Sequence, residues 1–140
     1  MLLSPRFSKY KKSQKGKAFN KIDNLLNFQN IKFDSLKLIC SEHGRLSGKQ
    51  INAISFTINK FMKKIGFVNF KIFPHHPISK KPIEVRMGKG KGNVSHWVFN
   101  VKPGFIICEI ETSNKLQAYK ALKSAQYRLP INTKIKNLIY

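Results

Sequence analysis

Carboxylates are scarce in this chain: six Asp and Glu in 140 residues, against 27 Lys and Arg. General acid–base work on sugars or phosphodiesters draws on paired carboxylates or on a metal cluster. One close acidic pair exists, Glu109 and Glu111, two apart on an expected strand and so on one of its faces. Its expected role is surface salt bridging among lysines, and no active site assembles around it. Cysteine is scarcer still. Cys40 and Cys108 lie far apart with no His or Cys at metal-ligand spacing. That argues against a disulfide framework or zinc site and for two small, buried or half-buried hydrophobes. No run approaches the roughly 18 consecutive apolar residues of a membrane span, so no membrane partner is expected.

What the chain has in excess is positive charge, a formal +21. Self-repulsion on that scale works against a compact state unless a polyanion is bound, and a small neutral substrate would not require it. A disordered basic tail is the wrong reading too, because 41% of residues are hydrophobic, 11 of them Phe, and the apolar residues are periodic. The length suits one domain with a modest core.

The charge is most sharply patterned at Arg86-Met87-Gly88-Lys89-Gly90-Lys91-Gly92. Alternating glycines let main chain approach another surface and take φ > 0. Arg86, Lys89 and Lys91 supply charge between them, with Glu84 the nearest acid. This combination suits a phosphate-rich surface, and the expected partner is RNA. It does not fit a P-loop, which needs Gly-Lys-Ser/Thr after four residues, since Asn93 follows here. A dinucleotide fingerprint would open a helix, whereas this run follows a proline-broken segment and precedes a strand. No cofactor is expected.

The first 17 residues carry Arg6, Lys9, Lys11, Lys12, Lys15 and Lys17, interleaved with Phe7 and Tyr10, and no acid precedes Asp23. Composition fits both an organellar transit peptide and an RNA-binding arm ordered along phosphates. Residues 18–44 read as loop with short strands near 31–33 and 36–40. Ser47 to Gln50 fits a capping box, and behind it Ile51, Ile54, Ile58, Phe61, Met62 and Ile65 share a helical face, with Gly66 as the stop. Lys49, Lys60, Lys63 and Lys64 take the other face, as solvated or RNA-contacting side chains. Phe67 to Phe73 alternates as a strand. Prolines 74, 77 and 82 then predict an extended loop over 74–95. Strands are expected over 96–102 and 105–111, joined as an antiparallel hairpin by Lys102-Pro103-Gly104. A second helix is expected from Leu116, Tyr119, Leu122, Ala125, Gln126 and Leu129, with Thr112 or Ser113 as N-cap and Pro130 as stop. A last short strand follows at Ile131, Thr133 and Ile135. The fold class is α+β: an antiparallel sheet with two amphipathic helices packed on one side of it, spanning 18–140 as a single domain behind the arm at 1–17. His75-His76 invites a metal reading, but adjacent histidines seldom chelate one ion and no Asp or Cys is near in sequence, so no metal is expected. Trp97 is expected to anchor the loop in the sheet rather than stack on a base.

Several blocks together resemble the L-sixteen family of large-subunit ribosomal proteins. They are Arg45-Leu46, Gln50-Ile51, Phe73-Pro74, Pro77-Ile78, Lys81-Pro82, Val85 through Asn93, Trp97-Val98, Lys102-Pro103-Gly104, and Leu129 through Lys134. Their order holds from about residue 45 onward. Met1-Leu2, Pro5-Arg6, Lys9-Tyr10, Lys12 and Lys15-Gly16 are similar to the family's start, which favours a native arm. The resemblance implies a hammerhead-like α+β sandwich and a structural, rRNA-binding role near the peptidyl-transferase centre and the aminoacyl-site tRNA, with neighbouring ribosomal proteins as further partners. With the charge pattern, it makes the expected RNA-binding residues Arg6, Lys9, Lys11, Lys12, Lys15, Lys17, Arg45, Lys49, Lys80, Lys81, Arg86, Met87, Gly88, Lys89, Gly90, Lys91, Gly92 and Lys134, of which the arm and Arg86 to Gly92 are what the resemblance itself implies. Residues 18–44, His75-His76 and Ser95-His96 depart from the family pattern. An Asn, Ile, Lys and Phe excess, with only two Ala in the first 60 residues, suggests a gene under A+T pressure and a mitochondrial ribosome. The alternative reading is a small basic RNA-processing enzyme.

Overall fold

The computed structural model describes residues 3–14, 35–63 and 65–137. The strand expected near 31–33 lies outside them, as do Lys15, Lys17 and Lys64. Along the described chain run β1 Leu36–Cys40, β2 Gly44–Ser47, α1 Gly48–Met62, β3 Phe67–Phe70, β4 His76–Lys80, β5 Asn93–Val101, β6 Ile106–Glu111, α2 Lys115–Gln126 and β7 Thr133–Asn137.

The capping box at α1 forms as its sequence asks. The Gln50 amide donates to Ser47 Oγ (3.4 Å), and Gln50 Oε1 accepts from the Ser47 amide (2.9 Å), so two otherwise orphaned donors are satisfied reciprocally. Ile51, Ile54, Ile58 and Met62 are buried, whereas Phe61 and Ile65, expected on the same stripe, are exposed. The helix ends one turn earlier than Gly66. Its C-cap is Lys63, in the left-handed region at φ 45°, with its amide bonded to Asn59 O at 3.0 Å. In α2 the cap is Asn114 rather than Thr112 or Ser113, its side chain accepting from the Gln117 amide at 3.2 Å. The buried face of α2 is Ala118, Ala121, Leu122 and Ala125, while Leu116 and Tyr119 are exposed. Three alanines on that face let α2 lie close to α1, against which it packs.

The strands are antiparallel, but they make two sheets where one was expected: β3-β6-β1-β7 and β2-β5-β4. The predicted hairpin therefore does not form, since β5 and β6 fall in different sheets. The Pro103-Gly104 turn is real, with the Phe105 amide bonded to Lys102 O at 3.2 Å, but it docks on the end of β1. There the Gly104 amide donates to Cys40 O at 2.8 Å and the Cys40 amide to Phe105 O at 2.9 Å. The turn thus carries the chain from one sheet to the other, around a shared core that includes Leu38, Leu46, Ile54, Ile107 and Leu122.

Two further expectations need correction. Residues 74–95 are not one loop, because β4 pairs with β5 from His76↔Val98 to Lys80↔Asn93, leaving 81–92 as the loop proper. Pro77 is tolerated because β4 is an edge strand, where a missing N–H costs no ladder bond. Glu109 is not a surface acid. It is 2% exposed, with Lys37 Nζ at 4.0 Å and Lys71 Nζ at 3.4 Å, and cross-strand pairing sets Lys37 directly opposite it.

Candidate nucleic-acid interface

The loop leaves the end of β4 and returns at the start of β5, and its three glycines serve it in two ways. Gly88 and Gly90 have φ of +98° and +85° with open space around them, so their requirement is conformational. Lys89 between them is itself left-handed at φ 50°, an uncommon setting for a side chain other than Gly, Asn or Asp. Gly92 is required by contact, since a Cβ there would lie 2.7 Å from the carbonyl carbon and oxygen of Lys80 and 2.9 Å from the Lys81 nitrogen. The loop's base is thus pressed against the end of β4 while its tip turns outward. Lys81 Nζ donates to the Gly88 carbonyl across the loop. Arg86, Met87, Lys89 and Lys91 are exposed, as is Ile83, which sequence reasoning passed over. Its signal was an apolar residue after Pro82 with no periodic partner.

The arm, at residues 3–14, lies along this same side. Leu3 sits on the first residue of α1: a Cβ at Gly48 would be 3.0 Å from Leu3 Cδ2 and 3.5 Å from Pro74 Cγ. At its other end Lys12 Nζ donates to Lys91 O at 3.0 Å, Lys91 Nζ donates to Ser13 O, and Ser13 Oγ lies 3.4 Å from His76 Nδ1. Between these points Arg6, Phe7, Lys9, Tyr10 and Lys11 face solvent, with Lys9 Nζ 5.6 Å from the Tyr10 ring centroid. Exposed cations alternating with exposed aromatic rings present both phosphate neutralisation and base stacking.

The structure therefore joins the arm to the loop through Lys12, Ser13 and Lys91, sets the loop's base against Lys80 at the end of β4, and brings Leu3 of the arm to Gly48, beside exposed Lys49 in the first turn of α1. Arg45, on β2 in the same sheet, is near enough that its charge acts on His76. Lys134 stands apart on β7, an edge of the other sheet. Glu84 is the one acidic residue of the loop.

His76 is half-buried, and burial, reinforced by the charges of Arg45, His75 and Lys91, holds its imidazole below the ordinary histidine range. His75 turns away to meet Phe99 edge-on at 5.4 Å. Among the described residues no three His, Cys, Asp or Glu side chains come together as a metal site. No described helix is long and apolar enough to cross a membrane. Trp97 is half-buried on β5 opposite Pro77. Cys40 and Cys108 are buried free thiols. Burial pushes Cys40 up to about 12 and raises Cys108 as well, with smaller effects there from Cys40 and Glu109, so neither carries thiolate character at neutral pH.

Comparison with known proteins bears on the family of the chain. The family model described as ribosomal protein L16p/L10e matches residues 5–136. The chain is 43% identical over 135 residues to large ribosomal subunit protein uL16c of Euglena longa, covering 96% of this chain and 97% of that protein. It is 40% identical over 134 residues to large ribosomal subunit protein uL16 of Acinetobacter baylyi, covering 96% of each.

Proposed function

The chain belongs to the ribosomal protein L16p/L10e family, and from that premise we propose that it grips large-subunit rRNA through one composite surface built of arm, α1 N-terminus and loop. It is a structural constituent of the large ribosomal subunit and not an enzyme. The observation that carries the surface assignment is convergence. Arm and loop are 78 and 79 residues apart where their lysines exchange bonds, yet they form one cationic face whose loop holds only Glu84 as an acid. In this reading Arg6, Lys9, Lys11, Lys49, Lys80, Arg86 and Lys89 meet phosphates. Phe7 and Tyr10 stack, and Gly88 and Gly90 let the loop's main chain lie against RNA. Lys15, Lys17, Arg45 and Lys134 extend the same role. The RNA-processing alternative has no comparable support, because Glu109 is sealed between strands and His75 and His76 diverge.

The finer assignment is that the loop reaches toward the peptidyl-transferase centre and that aminoacyl-site tRNA is among its partners. It rests on the likeness of Arg86 to Gly92 to the family's motif. The compartment we propose is the mitochondrial matrix, supported by the compositional bias of the chain.

Sedimentation of an organelle lysate tests the core of this reading. The chain should follow the large subunit after low magnesium separates the subunits, and migration at the top of the gradient would refute it. For the surface, Arg86→Ala with Lys89→Ala should reduce the salt slope of rRNA-fragment binding by about 1.4–1.8, the value for two lost phosphate contacts. An unchanged slope would remove the loop from the interface.

A further inference from the structure

The loop's lysines are not equivalent. Lys89 projects from a left-handed tip flanked by glycines with nothing around them. Lys91 sits at the base, beside the glycine pressed on Lys80 and Lys81. There it takes part in a reciprocal exchange: its carbonyl accepts from Lys12, and its ammonium donates to the carbonyl of Ser13. Two adjacent arm residues and one loop residue thereby close a ring of contacts, and Ser13 Oγ extends it to His76 on β4. The arm's far end meets the body of the fold where Leu3, partly exposed, lies over Gly48. An irregular segment fixed at both ends across a loop base is a strap.

We propose that residues 3–14 strap the glycine-lysine loop in place before RNA is met, with Lys12 and Lys91 acting as positioning residues through their exchange of carbonyl bonds rather than as phosphate contacts. The functional consequence rests on the interface reading above; the strap itself does not. The physical logic is preorganisation. A glycine-rich loop free in solution loses conformational entropy when RNA fixes it. A strap that pins the base incurs part of that loss during folding and leaves only the tip to adapt. Lys12 and Lys91 can serve this purpose although exposed, because a carbonyl oxygen is a fixed acceptor whereas a phosphate is present only in the complex. The strap also spaces the cations. Lys12 and Lys91 face main chain, while Lys9, Lys11 and Lys89 remain outward.

The test uses the full-length chain, free of RNA, and amide hydrogen exchange of peptides covering 82–93. Lys12→Met and Lys91→Met should each speed exchange there about fivefold, the change expected for losing one hydrogen bond of ordinary net strength. The double variant should be well short of the product of the two, because the bonds share one geometry. Lys91→Arg, which keeps a donor, should restore protection, while Lys89→Met should leave it unchanged. Exchange in β1 and β6 reports whether the fold is intact. A second readout separates positioning from phosphate contact. Lys89→Met should lower the salt slope of rRNA binding by about 0.7–0.9, whereas Lys91→Met should weaken binding with the slope kept. Unchanged loop exchange in Lys12→Met and Lys91→Met, or a slope that falls as far with Lys91→Met as with Lys89→Met, overturns the proposal. If loop exchange responds as stated but wild-type chain binds no rRNA, the strap stands and the interface reading fails.

Discussion

Replacing Glu109 by Gln should be among the most destabilising single changes available in this protein, and the structure sets its size. Lys37 has no measurable solvent exposure, and its ammonium makes no hydrogen bond among the described residues. Its nearest carboxylate oxygen is Glu109 Oε1 at 4.0 Å, an attraction of about 4 kcal/mol at an effective dielectric constant near 20. Gln keeps the shape and removes that charge. Lys37 can then stay charged and unpaired, at about 3–5 kcal/mol, or lose its proton. Neutralising a lysine of ordinary pKa 10.5 at pH 7 costs about 1.4 kcal/mol per unit, or about 5 kcal/mol, which caps the effect. Urea unfolding at pH 7 should therefore show Glu109→Gln losing about 3–5 kcal/mol, a large part of a typical domain's stability. Adding Lys37→Met should recover most of it. Lys37→Met alone should cost far less, because Lys71 still reaches Glu109 Oε2 at 3.4 Å. The deficit should also shrink at alkaline pH. Burial holds folded Lys37 below 10.5, partly opposed by Glu109, so between its folded value and 10.5 the unfolded chain binds more protons and stability rises with pH. A loss under about 1 kcal/mol in Glu109→Gln, or a double variant no better than it, would refute the reasoning.

Gly92→Ala should lower stability by about 1–3 kcal/mol because its Cβ meets the backbone of Lys80 and Lys81. Gly88→Ala should cost about 1 kcal/mol, from φ alone, and equal losses on urea unfolding would contradict the steric reading. Acidification should loosen the arm. Folded His76 sits below 6.5, so the unfolded chain takes the proton first; the stability His76 contributes is complete above about pH 6.5 and lost as pH falls toward the folded value, and the arm meets it directly through Ser13. Protonation would set His76 against Arg45, His75 and Lys91 while Ser13 faces it from the arm. Hydrogen exchange of residues 3–14, corrected for intrinsic rate, should rise from pH 7.5 to 5.5, and pH-independent protection would count against His76. Potassium chloride should raise the melting temperature of the free chain by screening its repulsion and at the same time weaken rRNA binding; a melting temperature that falls with salt would exclude self-repulsion as a major term.

Local chemistry was readable from sequence wherever the partner is also local. Ser47 and Gln50 cap α1 as their spacing predicts because both ends of each bond lie within one turn. Pairing between strands is another matter. Lys102-Pro103-Gly104 announces a reversal, and a reversal occurs, but the strands it joins are claimed by partners distant in sequence, β2 and β4 on one side, β1 and β3 on the other. The α+β class survives this error because helix and strand periods are local, while the number of sheets is not. Glu109 illustrates the same limit at a single residue. An acid alternating along a strand reads as a surface residue until the strand opposite supplies Lys37. In the interface, the loop's cations and glycines were legible as a run. That Gly92 serves contact and Gly88 conformation was not, because only the approach of Lys80 distinguishes them. The arm's docking was illegible for the same reason, since nothing near Lys12 in sequence points to Lys91.

The scarcity of carboxylates acquires a structural meaning from where the described ones sit. Glu109 is enclosed between Lys37 and Lys71. Glu42 accepts bonds from the Asn132 side chain and amide, fastening the segment before β7 to the one after β1. Glu111 is half-buried where β6 ends. These three serve the fold, and only Glu84 accompanies the loop. Glu109, which neutralises lysines from within, leaves the cationic face undiluted, and adding acids on that face would relieve self-repulsion only by competing with phosphate for the same lysines. The chain instead relies on an aliphatic core, Leu38, Leu46, Ile51, Ile54, Ile58, Ile107 and Leu122 among its members, to remain folded against its own charge until a polyanion removes the repulsion. Stability of the free chain and affinity for RNA are therefore coupled through one quantity, the unneutralised charge on the arm and loop. A change that improves the first by adding surface acid there weakens the second.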